Sequence, residues 1–371
     1  MKFDIANNLV FSNILHRPTR TLVSVCGIAV GILLIVFTIG LSNGTLRERA
    51  KREANTGAEI IFRASGTLGL SGSESFRLDI SLADKLEQIE GVQKAIPIGQ
   101  ISVSAEDSNV GSRLIDGVNF NDYAEMSGLE IIEGRPIKSG DEAIIDTGFQ
   151  IQKKLKVGDS LKIWERPFRI VGTYEPATGA RVKIPLETMQ AQLGGEGKCT
   201  TFLISIKQGL TPEEVADRIH EKFPDNQIIL AKDLEELYMS SIPQLNVFLN
   251  VVIAIAGIVS TLVILLTMHT TVSERTRQIG ILKALGMSKF QIAMTITKES
   301  LLISSLGVVS GIFLSHALRF ILTRITTLEV EITPQLLAIT GIVGLVGGAI
   351  GALYPAIKAA SLDPVEALSY E

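Results

Sequence analysis

Four segments of the chain are long and apolar enough to cross a lipid bilayer. A spanning helix needs about 20 mostly apolar residues. The segments that meet this condition are residues 21–42, 245–270, 291–322 and 335–357. The third is charged at both ends and apolar through its centre, "SLLISSLGVVSGIFLSHAL". We therefore predict an α-helical membrane protein with four transmembrane helices.

The first of these segments must be distinguished from a cleaved signal peptide. Arg17 and Arg20 precede it, as basic residues precede a signal peptide. Its apolar core is longer than the about 7–15 residues typical of such a peptide, and no A-x-A-like site follows at "SNGTLRER". We expect an uncleaved anchor, so that four spans leave both termini on one side of the membrane.

Lys and Arg residues in the short connections set the orientation of the spans. The connection at residues 271–290 has four basic residues and the single acid Glu274. The short loop at residues 323–334 and its flanks balance two Arg against two Glu. We predict a multi-pass protein of the bacterial inner membrane, with residues 271–290 and both termini in the cytoplasm and residues 43–244 outside it.

A basic segment directly after the first span opposes this orientation. "LRERAKRE" carries four cations on the predicted outer side: Arg47, Arg49, Lys51 and Arg52. The charge rule is weaker before a long translocated domain. The interleaved Glu48 and Glu53 indicate that the helix of the first span continues out of the bilayer.

The roughly 200 residues between the first two spans are enough for a hydrophobic core of their own. Near their start, "EIIFRAS" and "AIPIGQISVSA" predict strands around the helix "SLADKLEQIEGV", with Ser81 as N-cap. Near their end, "TTFLISIK" and "NQIILAKD" predict strands around the helix "TPEEVADRIHEKF", with Thr211 as N-cap and Pro212 at its first position. Two β-α-β units that bracket a middle segment predict one split α+β subdomain.

The middle segment, about residues 107–198, predicts a β-rich subdomain inserted into the split one. In its centre, short strands alternate with Gly and Asp turns around one short helix. A separate Gly/Ser-rich stretch, "TLGLSGSESF", predicts a mobile loop at residues 67–76. The predicted fold is thus four transmembrane helices with a large extracytoplasmic α+β domain in two subdomains.

Composition agrees with this division of the chain. Hydrophobic residues make up 46% of the 371 residues, which is high for a soluble protein, whereas 20% charged residues are too many for a wholly intramembrane one. A net charge of −4 gives no basic footprint for nucleic acid. Cys26 and Cys199 lie in different environments and have no metal-site spacing, so we expect neither a disulfide nor a metal site.

The segment "SERTRQIGILKALGMSKF", residues 273–290, joins two predicted spans. A membrane hairpin needs only a short polar turn there, whereas this segment has both charged residues and a helical period of apolar residues. Its larger apolar residues fall within an arc of about 160° on a helix: Ile279, Ile281, Leu282 and Leu285. Its small residues, spaced by four, form a strip where another surface can approach: Thr276, Gly280 and Ala284. Gly286 is placed to end this helix and Ser288 to cap the next. The pattern leaves open a helix lying on anionic lipid and a helix docking on a partner protein.

Three parts of the chain resemble one family of membrane proteins. "SERTRQIGILKALGMSKFQI" closely resembles the cytoplasmic loop after the second span of the FtsX-like, MacB-type ABC permeases, which include macrolide-exporter and lipoprotein-release membrane subunits. The tail "YPAIKAASLDPVEALSYE" resembles the family's P-A-x-x-A-A-x-x-x-P-x-x-A-L segment. The start, "IANNLVFSNILHRPTRTLVSVCGIAVGI", is similar to its N-terminal amphipathic helix, here residues 1–20, and first span. The resemblance covers the whole chain, most loosely in the outer domain.

This resemblance implies that residues 271–290 form a coupling helix that docks into a groove of an ATPase subunit. By motif position, these residues lie in or beside that contact: Glu274, Arg275, Thr276, Arg277, Gly280, Lys283, Ala284, Leu285 and Gly286. The sequence departs from the family pattern at two places: "MSKFQ" is less basic than in many relatives, and Ser369 stands where Arg is common. These departures affect which ATPase we expect the permease to bind, and not the family to which it is similar.

The chain contains no P-loop of its own. The nearest match to G-x-x-x-x-G-K-[ST], "QLGGEGKC", lacks the first Gly and ends in Cys199. We therefore expect no cofactor in this chain, with ATP and Mg²⁺ bound by a dimer of ATPase subunits. A two-fold ATPase implies two permease copies, identical or paralogous. A periplasmic adaptor is a further partner that the family suggests.

Glycines in two spans permit close helix packing in lipid. They occur as G-x-x-x-G pairs: Gly27 and Gly31, Gly344 and Gly348, Gly347 and Gly351. The sequence leaves open whether these pairs pack within one subunit or at a dimer seam.

Catalysis finds no support in the sequence, because the four histidines are scattered and no Ser/His/Asp arrangement is visible. We predict a non-enzymatic permease subunit that couples ATP hydrolysis by a separate ATPase to motion of its outer domain. This motion would drive export or extraction of a hydrophobic, peptide or lipid-linked substrate. The alternative is a non-exporting regulator that transmits force to a cell-wall hydrolase or sensor. The size of the outer domain favours export.

Overall fold

The structure, a computed structural model, describes residues 18–65, 76–104, 112–240, 243–325, 328–363 and 367. The chain forms two compact units. We call the first the membrane unit, made of Met1–Gly44, Pro243–Arg324 and Leu328–Glu371. We call the second the α+β unit, made of Thr45–Ile242 and Ile325–Thr327.

The first helix, α1, runs from Pro18 to Ala54 and contributes residues to both units. It carries the first predicted span and, as its interleaved acids predicted, continues through "LRERAKRE". The amphipathic helix predicted at residues 1–20 falls almost entirely on residues 1–17, outside the described part of the chain. The mobile loop predicted at residues 67–76 likewise falls on residues 66–75, which the structure does not describe.

Twelve strands and six helices build the described part of the α+β unit. The strands are β1 Ile60–Arg63, β2 Leu78–Asp79, β3 Val92–Ser104, β4 Ser112–Val118, β5 Glu130–Gly134, β6 Glu142–Asp146, β7 Ser160–Ile163, β8 Arg166–Glu175, β9 Val182–Pro185, β10 Lys198–Cys199, β11 Thr201–Ile206 and β12 Gln227–Leu230. The helices are α2 Leu82–Glu87, α3 Phe120–Ser127, α4 Thr147–Lys153, α5 Leu186–Leu193, α6 Pro212–Lys222 and α7 Leu234–Ser240.

One mixed sheet of ten strands runs through the α+β unit in the order β12-β1-β11-β3-β4-β9-β6-β8-β5, with β7 paired to β8. The pairs β4–β9 and β6–β8 are parallel, and the other pairs of this sheet are antiparallel. Two short strands, β2 and β10, pair separately. The mixed sheet confirms the predicted α+β fold class.

The two predicted β-α-β units are present and pair with each other. Strands β1 and β3 flank α2, strands β11 and β12 flank α6, and these four strands lie side by side. Strand β3 takes part in both subdomains: Val92–Ile98 pairs with β11, and Gly99–Ser104 pairs with β4 of the insert. The insert has the predicted central helix, α4, and two more that the sequence interpretation missed, α3 and α5.

The two predicted helix caps differ in outcome. Thr211 forms a capping box with Glu214, and Pro212 occupies the first helical position, as predicted. Ser81 does not cap α2: its backbone is already helical and its side chain makes no capping hydrogen bond. Instead, the Asp79 carboxylate accepts a hydrogen bond of 2.8 Å from the Ser81 amide, so the turn before α2 is held by the earlier residue.

The membrane unit also contains three further long helices, α8 Pro243–Glu274, α10 Lys289–Ile325 and α11 Pro334–Ser361. A short helix, α9 Thr276–Ala284, lies between α8 and α10 in the sequence. Helices α1, α8, α10 and α11 are long and apolar enough to span a bilayer, as predicted. Their buried residues form one cluster that includes Ile28, Ile32, Ile264, Met268 and Ile303.

The six predicted packing glycines each lie against another helix of the same chain. A Cβ on Gly27 would lie 3.1 Å from Val263 of α8, and one on Gly347 would lie 3.1 Å from Thr261 of α8. Gly31 faces Ser260, Gly344 faces Val308, Gly348 faces Ser304, and Gly351 faces Thr261 and Ile264. The structure thus gives these residues a role inside one chain.

A fourth pair, missed in the sequence, packs just as closely. Gly307 and Gly311 of α10 also form a G-x-x-x-G pair. A Cβ on Gly307 would lie 2.6 Å from Cβ of Ile28, and one on Gly311 would lie 2.7 Å from Cβ of Ile32. These glycines let α10 approach α1 closely, as small residues do in membrane helices.

Candidate coupling site

Helix α9 is separated from α8 by a single non-helical residue. Arg275, with φ −112° and ψ 15°, interrupts the helix between Glu274 and Thr276. The Thr276 hydroxyl donates to the carbonyl oxygens of Val272 at 3.2 Å and Ser273 at 2.9 Å. The Val272 carbonyl also accepts from the Arg275 amide at 3.2 Å, so the Thr276 hydroxyl adds to the hydrogen bonds at the interruption.

The predicted end of α9 and start of α10 are both confirmed. Gly286 has φ +95°, and its amide donates to Lys283 O while the Met287 amide donates to Leu282 O. This is a Schellman motif, which favours glycine because the position requires a left-handed backbone. Ser288 then caps α10, which begins at Lys289. Ser288 Oγ accepts from the Gln291 amide, and Gln291 Oε1 accepts from the Ser288 amide. The turn is therefore fixed by local sequence.

Two ion pairs attach the junction between α8 and α9 to other helices. Glu274 pairs with Arg20 of α1 at 2.9 Å. Arg275 lies 3.7 Å from Glu299 of α10, whose side chain is only 5% exposed. Because a buried carboxylate needs a nearby cation, Arg275 has a role within this chain.

Lys283 binds the end of α11. Its Nζ donates to Ala360 O at 2.9 Å and also to Leu362 O. The last carbonyls of a helix lack intrahelical partners and carry partial negative charge, so an ammonium group stabilises them. Sequence reasoning had placed Lys283 beside a partner surface, whereas its hydrogen bonds run to the same chain.

Gly280 is covered by the chain's own tail. A Cβ at this position would lie 2.7 Å from Cβ of Ala367, a residue of the C-terminal motif. The close approach that glycine permits at this position is used by the tail of the same chain. The expectation that Gly280 lies in or beside an ATPase contact stays a prediction.

The outward side of α9 carries a mixture of basic and apolar residues. Arg277, Ala284 and Gly286 are exposed, as are Ile281 (43%) and Leu285 (80%). The predicted apolar arc is thus divided: Ile279 is buried, and Leu282 is half-buried. Two exposed residues at the start of α10, Phe290 and Met294, extend this apolar surface and were missed, although their spacing of four is a detectable signal.

A groove of about 310 Å³ lies between α9 and α10. Its walls are mainly apolar, with Val272, Ile279, Leu282 and Met287 among the lining residues. Arg275 and Glu299 contribute the charged part of the lining. The groove is lined from α9 both by the buried Ile279 and by the exposed Ile281.

Two family models together match most of the chain. Residues 21–222 match the MacB-like periplasmic core domain, and residues 250–364 match the FtsX-like permease C-terminal domain. The chain belongs to the MacB-type, FtsX-like ABC transporter permeases. The predicted family is therefore confirmed, and both matched regions agree with the division into an α+β unit and spans.

Relatives of this permease fall into two length classes. An uncharacterized ABC transporter permease of Methanocaldococcus jannaschii is 26% identical, and the match covers 100% of this chain and 99% of that protein. The macrolide export ATP-binding/permease protein MacB of Campylobacter jejuni is also 26% identical, over 98% of this chain but 61% of that protein. The pyoverdine export ATP-binding/permease protein PvdT of Pseudomonas savastanoi is 23% identical, and this chain spans 57% of its length.

Solved structures similar to this permease include two isolated domains. The periplasmic region of MacB from Actinobacillus actinomycetemcomitans is 16% identical, with a TM-score of 0.37, over 50% of this chain and 95% of that one. The extracellular domain of the ABC-type transporter YknZ from Gram-positive bacteria is 12% identical, with a TM-score of 0.35, over 46% of this chain and 99% of that one.

Proposed function

We propose that this permease couples ATP hydrolysis by a separate ATPase to motion of its α+β unit, and that α9 is the element on which the ATPase acts. The motion drives export or extraction of a hydrophobic, peptide or lipid-linked substrate. The observation that carries this proposal is the two-sided nature of α9. One side is bonded to the rest of the permease, and the other presents exposed apolar and basic residues.

The bonded side suits force transmission. Glu274 pairs with α1, Arg275 pairs with α10, and Lys283 holds the end of α11. A displacement of α9 therefore acts on every other long helix of the membrane unit, since α8 is separated from it only by Arg275. Helix α1 also supplies residues to the α+β unit, which makes it one of the covalent routes by which motion leaves the membrane unit.

The exposed side suits a partner protein. Interfaces combine an apolar core with Arg residues and with few other charges. Leu285, Ile281 and Ala284 supply the apolar surface, and Arg277 supplies the cation. In this proposal the ATPase contacts these residues and Gly286, whereas Glu274, Arg275, Thr276, Gly280 and Lys283 hold α9 in position.

The partners follow from the same mechanism. ATP and Mg²⁺ are bound outside these 371 residues, by an ATPase dimer that engages two permease copies. The relatives whose names combine ATP binding with a permease are longer than this chain. We further propose an inner-membrane location with α9 and both termini in the cytoplasm, and an adaptor or cargo on the side of the α+β unit.

Replacing Leu285 by Asp tests the docking side of α9. The charge would enter the centre of the proposed contact, so we expect binding of the ABC ATPase encoded nearest to the permease gene to weaken by tenfold or more. Leu193→Asp, an exposed leucine of α5, is the matched control and should bind normally. Equal binding by the Leu285 variant and the control would refute the assignment.

Crosslinking from the α+β unit separates export from regulation. A photoreactive residue in place of exposed Ile132 should trap a hydrophobic, peptide or lipid-linked cargo in an ATP-dependent manner. Trapping of a cell-wall hydrolase or a sensor, with no cargo, would instead identify the regulatory alternative.

A further inference from the structure

A group of polar side chains joins α8 to α11 outside the coupling site. It consists of His269 of α8 with Tyr354 and Lys358 of α11, and we call it the α8–α11 cluster. Lys358 Nζ lies 3.3 Å from Nε2 of His269. The rings of His269 and Tyr354 are nearly parallel, with their centres 6.2 Å apart. All three residues belong to the membrane unit.

The cluster lies where the apolar parts of two spans end. From Pro243 to Ser273, α8 contains no Asp, Glu, Lys or Arg, and Lys358 is the only such residue of α11. His269 is five residues from the end of α8, and Lys358 is three residues from the end of α11, which is bonded to α9. The cluster therefore lies at the same end of the membrane unit as α9. Tyr and Lys are typical of the boundary between bilayer and water.

Lys358 is held by a neighbouring helix and not by a carboxylate. An ammonium group only donates hydrogen bonds, so the His269 imidazole accepts at Nε2. A lysine at the end of a span usually extends freely toward water, whereas this bond holds Lys358 beside α8. Within the described part of the chain, no Asp or Glu forms an ion pair with Lys358, and its side chain is exposed. Its positive charge is thus accessible and fixed in position.

Exposed apolar side chains continue from the cluster along both helices. On α8, Leu266 and Leu262 are exposed and lie about one and two turns before the cluster. On α11, the exposed residues Val346, Ile350 and Tyr354 are spaced by four and share one face of the helix. The surface around the cluster is therefore apolar toward the centre of the spans and cationic at their end.

We propose that the α8–α11 cluster binds the phosphate group of an anionic phospholipid, whose acyl chains lie along the exposed apolar side chains of α8 and α11. A phosphate oxygen accepts a charge-assisted hydrogen bond from Lys358. His269 is a positioning residue, because it holds the ammonium group between the two helices. Basic side chains between spanning helices at the end of the bilayer are suited to lipid headgroups.

Two features favour an anionic lipid over other ligands. Lipid is the medium around α8 and α11, and the apolar surface beside the cluster matches acyl chains, which a free phosphate lacks. A zwitterionic headgroup would bring its own cation close to Lys358, so an anionic headgroup is attracted more strongly. The proposal depends neither on ATPase docking at α9 nor on which side of the membrane faces the cytoplasm.

Binding is measured on the full-length permease in an uncharged detergent by native mass spectrometry, which counts the lipids retained by each copy. The probes are phosphatidylglycerol, phosphatidylcholine with the same acyl chains, and glycerol 3-phosphate as a phosphate without chains. We expect saturable binding of phosphatidylglycerol that is about tenfold or more tighter than that of phosphatidylcholine, a difference of one charge-assisted hydrogen bond or more. Glycerol 3-phosphate should bind far more weakly than phosphatidylglycerol.

Substitutions in the cluster provide the specific test. Lys358→Gln should weaken phosphatidylglycerol binding by about tenfold or more and remove the preference over phosphatidylcholine. Lys298→Gln, which removes an exposed lysine of α10 in the same unit, is the matched control and should bind as the parent protein does. Lys358→Arg keeps the charge and should recover part of the loss. His269→Leu should weaken binding, whereas His269→Gln keeps an acceptor and should weaken it less.

Circular dichroism verifies that each variant is folded, and four results would overturn the proposal. The first is equal affinity of the Lys358→Gln and Lys298→Gln proteins for phosphatidylglycerol. The second is equal retention of phosphatidylglycerol and phosphatidylcholine by the parent protein. Binding of glycerol 3-phosphate as tight as that of phosphatidylglycerol would indicate a site for free phosphate. Separation of permease copies in Lys358→Gln, with unchanged lipid binding, would show that a second copy covers the cluster.

Discussion

At the scale of single residues, the α+β unit encloses a lysine completely. Lys183 of β9 is 0% exposed, and its Nζ lies 3.1 Å from the Asp116 carboxylate and 3.0 Å from Thr178 O. Burial lowers the pKa of Lys183, and the negative charge of Asp116 opposes that change. Asp116 is held in turn by the Ala180 amide at 2.7 Å. The pair therefore fixes the segment that precedes β9.

Removal of the buried ammonium should destabilise the α+β unit strongly. Lys183→Met leaves the Asp116 carboxylate buried without its cation, a change that costs about 3–5 kcal/mol. Denaturant unfolding followed by Trp164 fluorescence measures the loss. Adding Asp116→Asn removes the orphaned charge and should recover part of the stability. A single variant as stable as the parent protein would show that the pair contributes nothing.

Three buried tyrosines make the stability of the same unit dependent on alkaline pH. Burial raises the pKa of Tyr123, Tyr174 and Tyr238 above the usual value. Below about pH 10 these phenols are neutral in both the folded and the unfolded chain. Above it only the unfolded chain ionises them, so stability should fall as pH rises. Absorbance titration should show these three tyrosines un-ionised until the unit unfolds; their ionisation in the folded protein would contradict this.

Neither the lysine nor the tyrosines could be assigned from the sequence. Lys183 lies in the strand "VKIP", where alternation suggests only one buried and one exposed face. The side chain is buried because it packs against two aromatic rings: its Nζ lies 4.5 Å from the centre of the Tyr123 ring and 5.2 Å from that of Tyr174. The partners of Lys183 come from β4 and from the segment after β8, and such long-range contacts leave no local pattern.

At the scale of secondary structure elements, α9 is held by its contacts with the ends of other helices. Lys283→Met should lower the unfolding temperature of the membrane unit because the last carbonyls of α11 lose their donor. Arg277→Met removes an equal charge from the exposed side of the same helix and should leave this temperature unchanged. Thermal unfolding in detergent measures both, and equal effects would contradict the two-sided description of α9.

Helix packing in the membrane unit depends on glycine at the contact between α1 and α10. In Gly307→Ala the new Cβ would lie 2.6 Å from Cβ of Ile28, a rigidly attached atom, so we expect a loss of about 1–3 kcal/mol. In Gly341→Ala of α11 the nearest atom lies 4.0 Å away. That variant should be neutral or more stable, since alanine favours helix. Thermal unfolding compares them; an equally stable Gly307 variant would refute close packing.

Elements were easier to predict than the faces they bury. Apolar length alone identified the four long helices, and turn chemistry at Gly286 and Ser288 identified the end of α9 and the start of α10. The surface that approaches Gly280 could not be predicted, because a strip of small residues indicates close approach without identifying the partner. The answer, Ala367, lies 87 positions away in sequence, beyond the range of helical periodicity.

At the scale of the whole molecule, the chain combines a unit suited to the bilayer with a unit that has its own core. Family membership and the division into units were predictable from the resemblance and the hydropathy pattern. The convergence of five cationic residues around one cavity of the α+β unit could not be predicted, because these residues come from four parts of that unit. They are Arg49, Arg52, Arg113, Lys153 and Arg181. The sequence showed only the cations of α1, whose position directly after the first span conflicts with the charge rule for orientation.

The proposed function requires that the α+β unit respond to ATP hydrolysed by another subunit. A spin label on a cysteine introduced at the exposed residue Glu196 reports the distance between the α+β units of two copies. Cys26 is replaced by Ala, whereas burial raises the pKa of Cys199 to about 12, which leaves its thiol unreactive.

The decisive measurement is this distance in lipid nanodiscs that contain the permease and its ATPase, with and without ATP. We predict that the distance distribution changes on ATP binding, returns after hydrolysis, and does not respond in the Leu285→Asp variant. Leu193→Asp should respond as the parent protein does. A distribution that stays constant while ATP is hydrolysed, or that changes equally in the Leu285 variant, would contradict the proposal that α9 couples the ATPase to the α+β unit.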